Sequence, residues 1–383
     1  MHRAFRGASR WLMLFTTLSV GAVSPPKGGS IQVGGVLVEW GPQETILPHK
    51  ALSLTYFPDT AISPLAGQPR LQLLITAGVG VYLVEGTDMR SLSRATRVFG
   101  PGVAGEFDNG YAGFCGLYHH GDGTLYAIYH AEDHEGMADV GPGVPGYYAQ
   151  VGLAVSADGG ATFTRSGPVL RSHQSKDLHG RPDQGAGEAW MTLDKTGDRL
   201  LMYYVDHSRI DGRGVQICLA QASVRSGPPL PGTWTKYRGG EFSEPGLGGF
   251  DDPVMSAIDK GADATFPHVT WLPALNRYLM VFNVNAWREY TDNPEAPEPR
   301  VSGVYFAVSD DGIDWSEPVQ AITALSIVFP HQPVAWHPTL ILDDDDGTEG
   351  WLVYSYTPRW HHEHLGGTPH YMVGHRIKLT PRD

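Results

Sequence analysis

The chain repeats itself five times, and that repetition constrains its fold more than any other feature. Each unit places a polar hairpin between two apolar strands, then adds a third strand that usually opens Gly-Val or Gly-Leu and closes in an acidic turn. The third strands align as Gly80-Val81-Tyr82-Leu83-Val84, Val151-Gly152-Leu153-Ala154-Val155, Gly214-Val215-Gln216-Ile217-Cys218, Gly303-Val304-Tyr305-Phe306-Ala307-Val308 and His370-Tyr371-Met372-Val373-Gly374. Their hairpins begin near residues 51, 115, 188, 268 and 337. Steps of about 64 to 80 residues, each with three or four short alternating strands, are the pattern of four-stranded blades arranged radially. The expectation is an all-β fold, a five-bladed β-propeller forming one catalytic domain over residues 23–383.

Residues 1–22 read as a signal peptide: Arg3, Arg6 and Arg10 precede an apolar run too short to span a bilayer, and Val20 and Ala22 suit a signal-peptidase site. Losing those three arginines takes the formal net charge from −13 to −16. A secreted or periplasmic monomer is expected, with no membrane segment and no nucleic-acid partner, because no Lys/Arg run offers a phosphate-binding stripe. The 48 glycines and 29 prolines suit a chain that turns every few residues. Cys115 and Cys218 fall on strands of different blades and are read as separate core thiols.

Ser156-Ala157-Asp158-Gly159-Gly160-Ala161-Thr162-Phe163 resembles the Asp-box turn of sialidases and related propellers, and Ser309-Asp310-Asp311-Gly312-Ile313-Asp314-Trp315 is a shorter version. In those families the turn is structural and lies on the face away from the active site. Because strands alternate direction within a blade, that resemblance places the working face at the starts of first strands and at the loops joining second to third strands. Carboxylates, histidines and aromatics concentrate there. The second blade offers Asp108, Tyr111, Asp133 and His134, and the third Asp183, Glu188, Asp206 and Arg209. The fourth and fifth offer Asp251, His268, Trp287 and Arg288, then His337, Arg359 and Trp360.

Cleaving a glycosidic bond needs two carboxyl groups across a sugar, one protonated and one ionised. Glu188 and Asp108 are the carboxylates nearest to first-strand starts and form the expected catalytic pair, joined by Asp183; one of Asp183, Asp133, Asp206 and Asp251 is expected to spread the titrations of the pair. Tyr111, Asp133, His134, Asp206, Arg209, Asp251, His268, Trp287, Arg288, His337, Arg359 and Trp360 are expected to contact substrate, the tryptophans as platforms for sugar faces. His268 and His337 read as matching positions of the fourth and fifth blades, facing the axis. No cofactor is expected; the one metal position worth testing is a central ion near that histidine pair.

Five repeats, export, these turns and inward carboxylates together resemble the five-bladed propeller glycoside hydrolases of families 32, 43 and 117. The resemblance implies a carbohydrate substrate and a general acid in the third blade, where Glu188 stands. Family-43 enzymes also carry a catalytic Asp where the first blade begins; the segment read here as that position, Ile46-Leu47-Pro48-His49-Lys50, has none. The expected function is hydrolysis of an extracellular poly- or oligosaccharide. Two alternatives make different demands: a polysaccharide lyase would use His268 or His337 with Tyr111 and an arginine, and a glycan-binding propeller would need neither set.

Overall fold

The structure, a computed structural model, describes residues 27–67, 69–139, 145–207, 215–256, 262–285, 302–324, 333–343, 347–358 and 368–382. The signal-peptide expectation lies outside these. Twenty-four strands follow one another among the described residues. An amino-terminal hairpin, β1 (Gly29–Val33) and β2 (Val36–Trp40), precedes β3 (Glu44–Leu47). The first blade is β4 (Ser63–Pro64), β5 (Leu71–Ala77), β6 (Gly80–Gly86) and β7 (Leu92–Phe99). The second is β8 (Tyr111–His119), β9 (Leu125–Asp133), β10 (Tyr147–Ser156) and β11 (Thr164–Leu170). The third is β12 (Asp183–Leu193), β13 (Arg199–Asp206), β14 (Gln216–Ser223) and β15 (Thr235–Arg238), extended by β16 (Glu241–Pro245) and β17 (Pro253–Met255). The fourth is β18 (Asp263–Leu272), β19 (Arg277–Asn285), β20 (Gly303–Ser309) and β21 (Val319–Thr323). The fifth is β22 (Val334–Leu342), β23 (Glu349–Thr357) and β24 (Tyr371–Pro381).

Closure comes from the other end of the chain. The outer edge of β24 pairs with β2 and β3, so residues 29–47 complete the last blade before the first begins. This corrects the expected start of blade one. Ile46 and Leu47 belong to the fifth blade's sheet, Ala51–Ser53 is a single 3-10 turn, and the first inner strand is only Ser63–Pro64. Two residues ending in proline leave almost no alternation to read.

Five apolar cores prove the ring. One joins blades one and two through Leu74, Val81, Phe114 and Tyr129; a second joins two and three through Ile128, Val151, Met202 and Trp234. A third joins three and four through Tyr203, Leu219, Met280 and Phe282, and a fourth joins four and five through Val281, Phe306, Leu352 and Tyr354. The last closes five onto one through Leu73, Ile75, Trp351 and Val353. Each sheet is therefore apolar on both faces, which is why its strands read as near-continuous hydrophobic runs.

The inner strands share a device that matters below. β8, β12, β18 and β22 each carry a β-bulge midway. In three of them a non-glycine residue occupies the left-handed region: Glu188 (φ 47), Phe266 (φ 52) and His337 (φ 53). A bulge re-aims one side chain relative to the pleat, and such backbone strain persists only where the surroundings enforce it.

Candidate active site

Glu188 lies in the bulge of β12, its backbone N–H donating to Nδ1 of His130 at 3.0 Å. Its Oε2 is buried and has no hydrogen-bond partner among the described residues. Burial raises the Glu188 carboxyl to about 8, and the charges of Glu132, Asp263 and Asp59 add to the rise. This is a carboxylic acid held protonated at neutral pH, facing other carboxylates.

Glu132, on β9 of the neighbouring blade, has the opposite fate. Burial alone would raise it, but hydrogen bonds with His130 (Nε2 to Oε1, 2.9 Å) and His134 (Nε2 to Oε2, 2.6 Å) hold it down to about 2. Asp59 supplies a third carboxylate from the segment leading into β4. Burial pushes it well above the usual aspartate range, opposed by a hydrogen bond with Tyr111 and reinforced by the Glu132 charge. About a quarter of its side chain (26%) still reaches solvent, which moderates that rise. The Tyr111 hydroxyl donates to the Asp59 carbonyl at 2.8 Å, and His337 Nε2 stands 3.7 Å from Oδ1 of Asp59. Asp59, Glu132 and Glu188 come from the first, second and third blades, coupled across one region of the ring.

The raised carboxyl of Glu188 makes a stability prediction independent of any substrate. Its ordinary value is 4.5 and its folded value about 8. Between those pH values the folded chain holds a proton that the unfolded chain has released, so stability present below 4.5 is lost as pH rises through 8. Glu188→Gln does not titrate. It is expected to unfold like the wild type at pH 4 and to be more stable at pH 9, by up to roughly 5 kcal/mol. Urea titrations at the two pH values check this; an unchanged difference would mean the carboxyl is ordinary.

Several expected site residues lie elsewhere. Asp108 is fully buried and accepts from Arg165 Nε on the outer strand β11 (2.7 Å) and from the Tyr129 hydroxyl (3.1 Å). It forms an internal ion pair that holds the edge of blade two, while its Oδ1 is buried without a hydrogen-bond partner among the described residues. Asp133 is bound by Lys176 at 2.8 Å and Asn109 Nδ2 at 2.7 Å, and points opposite to its neighbours His130, Glu132 and His134 because β9 alternates. Asp183 is buried at the start of β12 with Arg181 on Oδ1 at 2.7 Å. Asp206 and Asp251 sit in a buried network with Cys218, Tyr204 and Lys236. His134 does belong to the site, through Glu132. Arg209, Trp287, Arg288, Arg359 and Trp360 lie outside the described residues.

His268 and His337 do not occupy matching positions. The bulge aligns His337 with Glu188 and Phe266, two residues out of step with His268. His268 stacks on Trp190 at 3.9 Å and His337 packs against Phe266 at 4.1 Å. Burial lowers each imidazole to about 3. Among the described residues, the group that brings three metal-type ligand atoms together is Asp206, Cys218 and Asp251. There the Lys236 ammonium, 2.9 Å from Asp251, already supplies the cation. Both cysteines are buried free thiols.

Asp59, Glu132 and His130 were missed by the sequence reading. Period-two alternation carried a usable signal for two of them, since His130, Glu132 and His134 fall on one side of β9. Asp59 had none, because its blade's inner strand is so short.

No family model and no curated protein matches this chain. Similar solved structures include a thermostable family-43 glycoside hydrolase, at 14% identity over 86% of this chain and 97% of that one, with a TM-score of 0.49. Another is an endo-1,4-beta-xylanase from Bacteroides thetaiotaomicron, at 13% identity over 84% and 91%, with a TM-score of 0.49. A third is the GH93 alpha-L-arabinofuranosidase of Fusarium graminearum with arabinobiose, at 12% identity over 86% and 96%, with a TM-score of 0.49.

Proposed function

We propose that this chain hydrolyses glycosidic bonds of an extracellular poly- or oligosaccharide, with Glu188 as general acid and Asp59 as base or nucleophile. The observation that carries the reading is the divergence of carboxyl groups in one site: Glu188 protonated to about 8 while Glu132 is ionised down to about 2. Environments that drive neighbouring carboxyls apart divide acid from base. Glu188 then has the proton that a departing alkoxide needs, and protonating that oxygen as the bond breaks is worth about 10²- to 10⁴-fold.

Asp59 takes the opposite role because it combines depth with access; burial raises its carboxyl as it raises that of Glu188, so the role requires Asp59 to give up its proton while Glu188 keeps one. It stands two blades from Glu188, so a sugar ring seated over the axis has one carboxyl on each side. Glu132 is unsuited to attack, since both its oxygens are engaged by histidines. Its fixed negative charge keeps the Glu188 proton in place. The elimination reading is weaker because the Tyr111 hydroxyl is already engaged by the Asp59 carbonyl.

The test is a panel of plant, algal and bacterial polysaccharides, followed for new reducing ends and for the ultraviolet absorbance of unsaturated sugars. Reducing ends without absorbance support hydrolysis; absorbance would establish elimination, and silence would favour binding alone. With a substrate in hand, kcat/KM is expected to fall as pH rises through about 8, where Glu188 loses its proton. A rate still climbing there would remove Glu188 from the acid role.

A further inference from the structure

We propose that His130 is the positioning residue of this site: its ring fastens the bulge that carries Glu188 to the Glu132 carboxylate, so that strands from two blades hold one another's carboxyl groups in place. The inference rests on the reading of Glu188 as the acid, but its geometry does not. The ring is nearly enclosed, at 6% side-chain exposure, and both nitrogens are engaged. Nδ1 faces the Glu188 N–H at 3.0 Å and Nε2 faces Glu132 Oε1 at 2.9 Å. A backbone N–H can only donate, so Nδ1 must accept and the single ring proton must sit on Nε2, aimed at the carboxylate.

The surroundings are shaped for this ring. A Cβ on Gly187 would lie 2.2 Å from His130 Nδ1, so glycine at that position is what lets the imidazole reach the next residue's backbone. A Cβ on Gly110 would lie 2.2 Å from the ring of His134, which grips the other oxygen of Glu132. Tyr111 and Tyr147 meet the His130 ring edge-on at centroid distances of 5.6 and 6.2 Å. The His134 backbone in turn donates to Asn109 Oδ1 at 3.1 Å, tying the ladder to the start of β8. A left-handed backbone at a glutamate needs such enforcement, and the N–H to Nδ1 bond is the contact that enforces it directly.

The titratable groups facing Glu188 are Glu132 and His130 from β9, Cys115 from β8, Tyr147 from β10, Asp263 from β18 and Asp59 before β4.

Two variants separate the halves of the ring. His130→Asn keeps an oxygen near Nδ1 that accepts from the Glu188 N–H. His130→Gln keeps a donor near Nε2 that reaches Glu132 and lacks that acceptor. The readout is infrared titration of the protonated carboxyl band that disappears in Glu188→Gln, which requires no substrate. In the wild type the band is expected to vanish as pH rises through about 8. In His130→Gln the released carboxyl turns toward water and titrates lower by about one pH unit or more, a tenfold change in proton affinity, while His130→Asn stays near the wild type. Gly187→Ala, which displaces the ring, is expected to reproduce the Gln result and serves if His130→Gln does not fold. Equal titration in Gln and Asn variants, or no shift in Gly187→Ala, overturns the proposal. A wild-type band near pH 8 in a protein that cleaves no glycan would overturn the hydrolase reading and leave the positioning role standing.

Discussion

Glu188→Gln and Asp59→Asn are each expected to reduce kcat on an unactivated glycan by about 10²- to 10⁴-fold with little change in KM. Both substitutions keep the shape of the side chain and remove its ionisation, so the fold and the sugar contacts persist. The two losses should differ in kind. Glu188 supplies a proton to the leaving oxygen, so an aryl glycoside whose phenolate departs unaided should recover most of the rate in Glu188→Gln. Asp59 acts on the other side of the sugar, so a better leaving group should not rescue Asp59→Asn. Asp108→Asn is the control, because Asp108 is engaged by Arg165 and Tyr129 inside blade two. It should lose stability and keep its turnover per folded molecule. Wild-type turnover in Asp59→Asn would remove that residue from the mechanism, and equal rescue of both variants would refute the division of roles.

The architecture was legible in the sequence because every blade repeats the same third strand. The aligned segments at Gly80, Val151, Gly303 and Tyr371 all open or lie within third strands of observed blades. What the repeat could not show was its phase. Residues 29–47 read as lead-in to blade one yet pair with β24, and nothing local distinguishes a closing strand from an opening one. Asp59 stayed hidden for that reason: it lies nine residues beyond Lys50, past the segment that reads as the start of blade one. Glu188 was singled out because it stands close to the start of the third blade's first strand, between Gly185-Ala186-Gly187 and Trp190, and the structure places it in the bulge of that strand.

Side-chain direction was the other source of error. Asp133 and Glu132 are adjacent, equally acidic and equally near the end of β9, and only strand parity separates the one bound by Lys176 from the one bound by two histidines. Asp108 looked like an inward carboxylate because its partner, Arg165, is fifty-seven residues away on the fourth strand of the blade. A long-range ion pair leaves no trace in local spacing. The histidine alignment was out by two residues because nothing local in Phe266-Pro267-His268 or Trp336-His337-Pro338 marks which residue takes the bulge position.

Lys236→Met should destabilise the fold by about 3–5 kcal/mol, an effect on stability and not on chemistry. The Lys236 ammonium has no solvent exposure and donates to Asp251 Oδ2 at 2.9 Å and to the Gly249 carbonyl at 2.8 Å. The Tyr204 hydroxyl adds a second contact to the same carboxylate oxygen at 2.6 Å. Burial would raise Asp251, but the Lys236 charge together with the Tyr204 bond keeps it below its ordinary value. Removing the ammonium leaves a buried carboxylate without a counter-charge, which costs far more than the intact pair contributes. Because the folded value of Asp251 is depressed, the stability it confers is present above the unfolded value and is lost as pH falls through the folded one. The gap between wild type and Lys236→Met should therefore be widest near neutrality and narrow in acid. Lys236→Met combined with Asp251→Asn removes both charges and still accepts from Tyr204, and is expected to recover at least half of the loss. Urea unfolding of the three proteins at neutral and acid pH measures this directly. If the double variant is as unstable as the single one, the loss comes from packing around the lysine stem, and Asp251 is not the charge that Lys236 is there to neutralise.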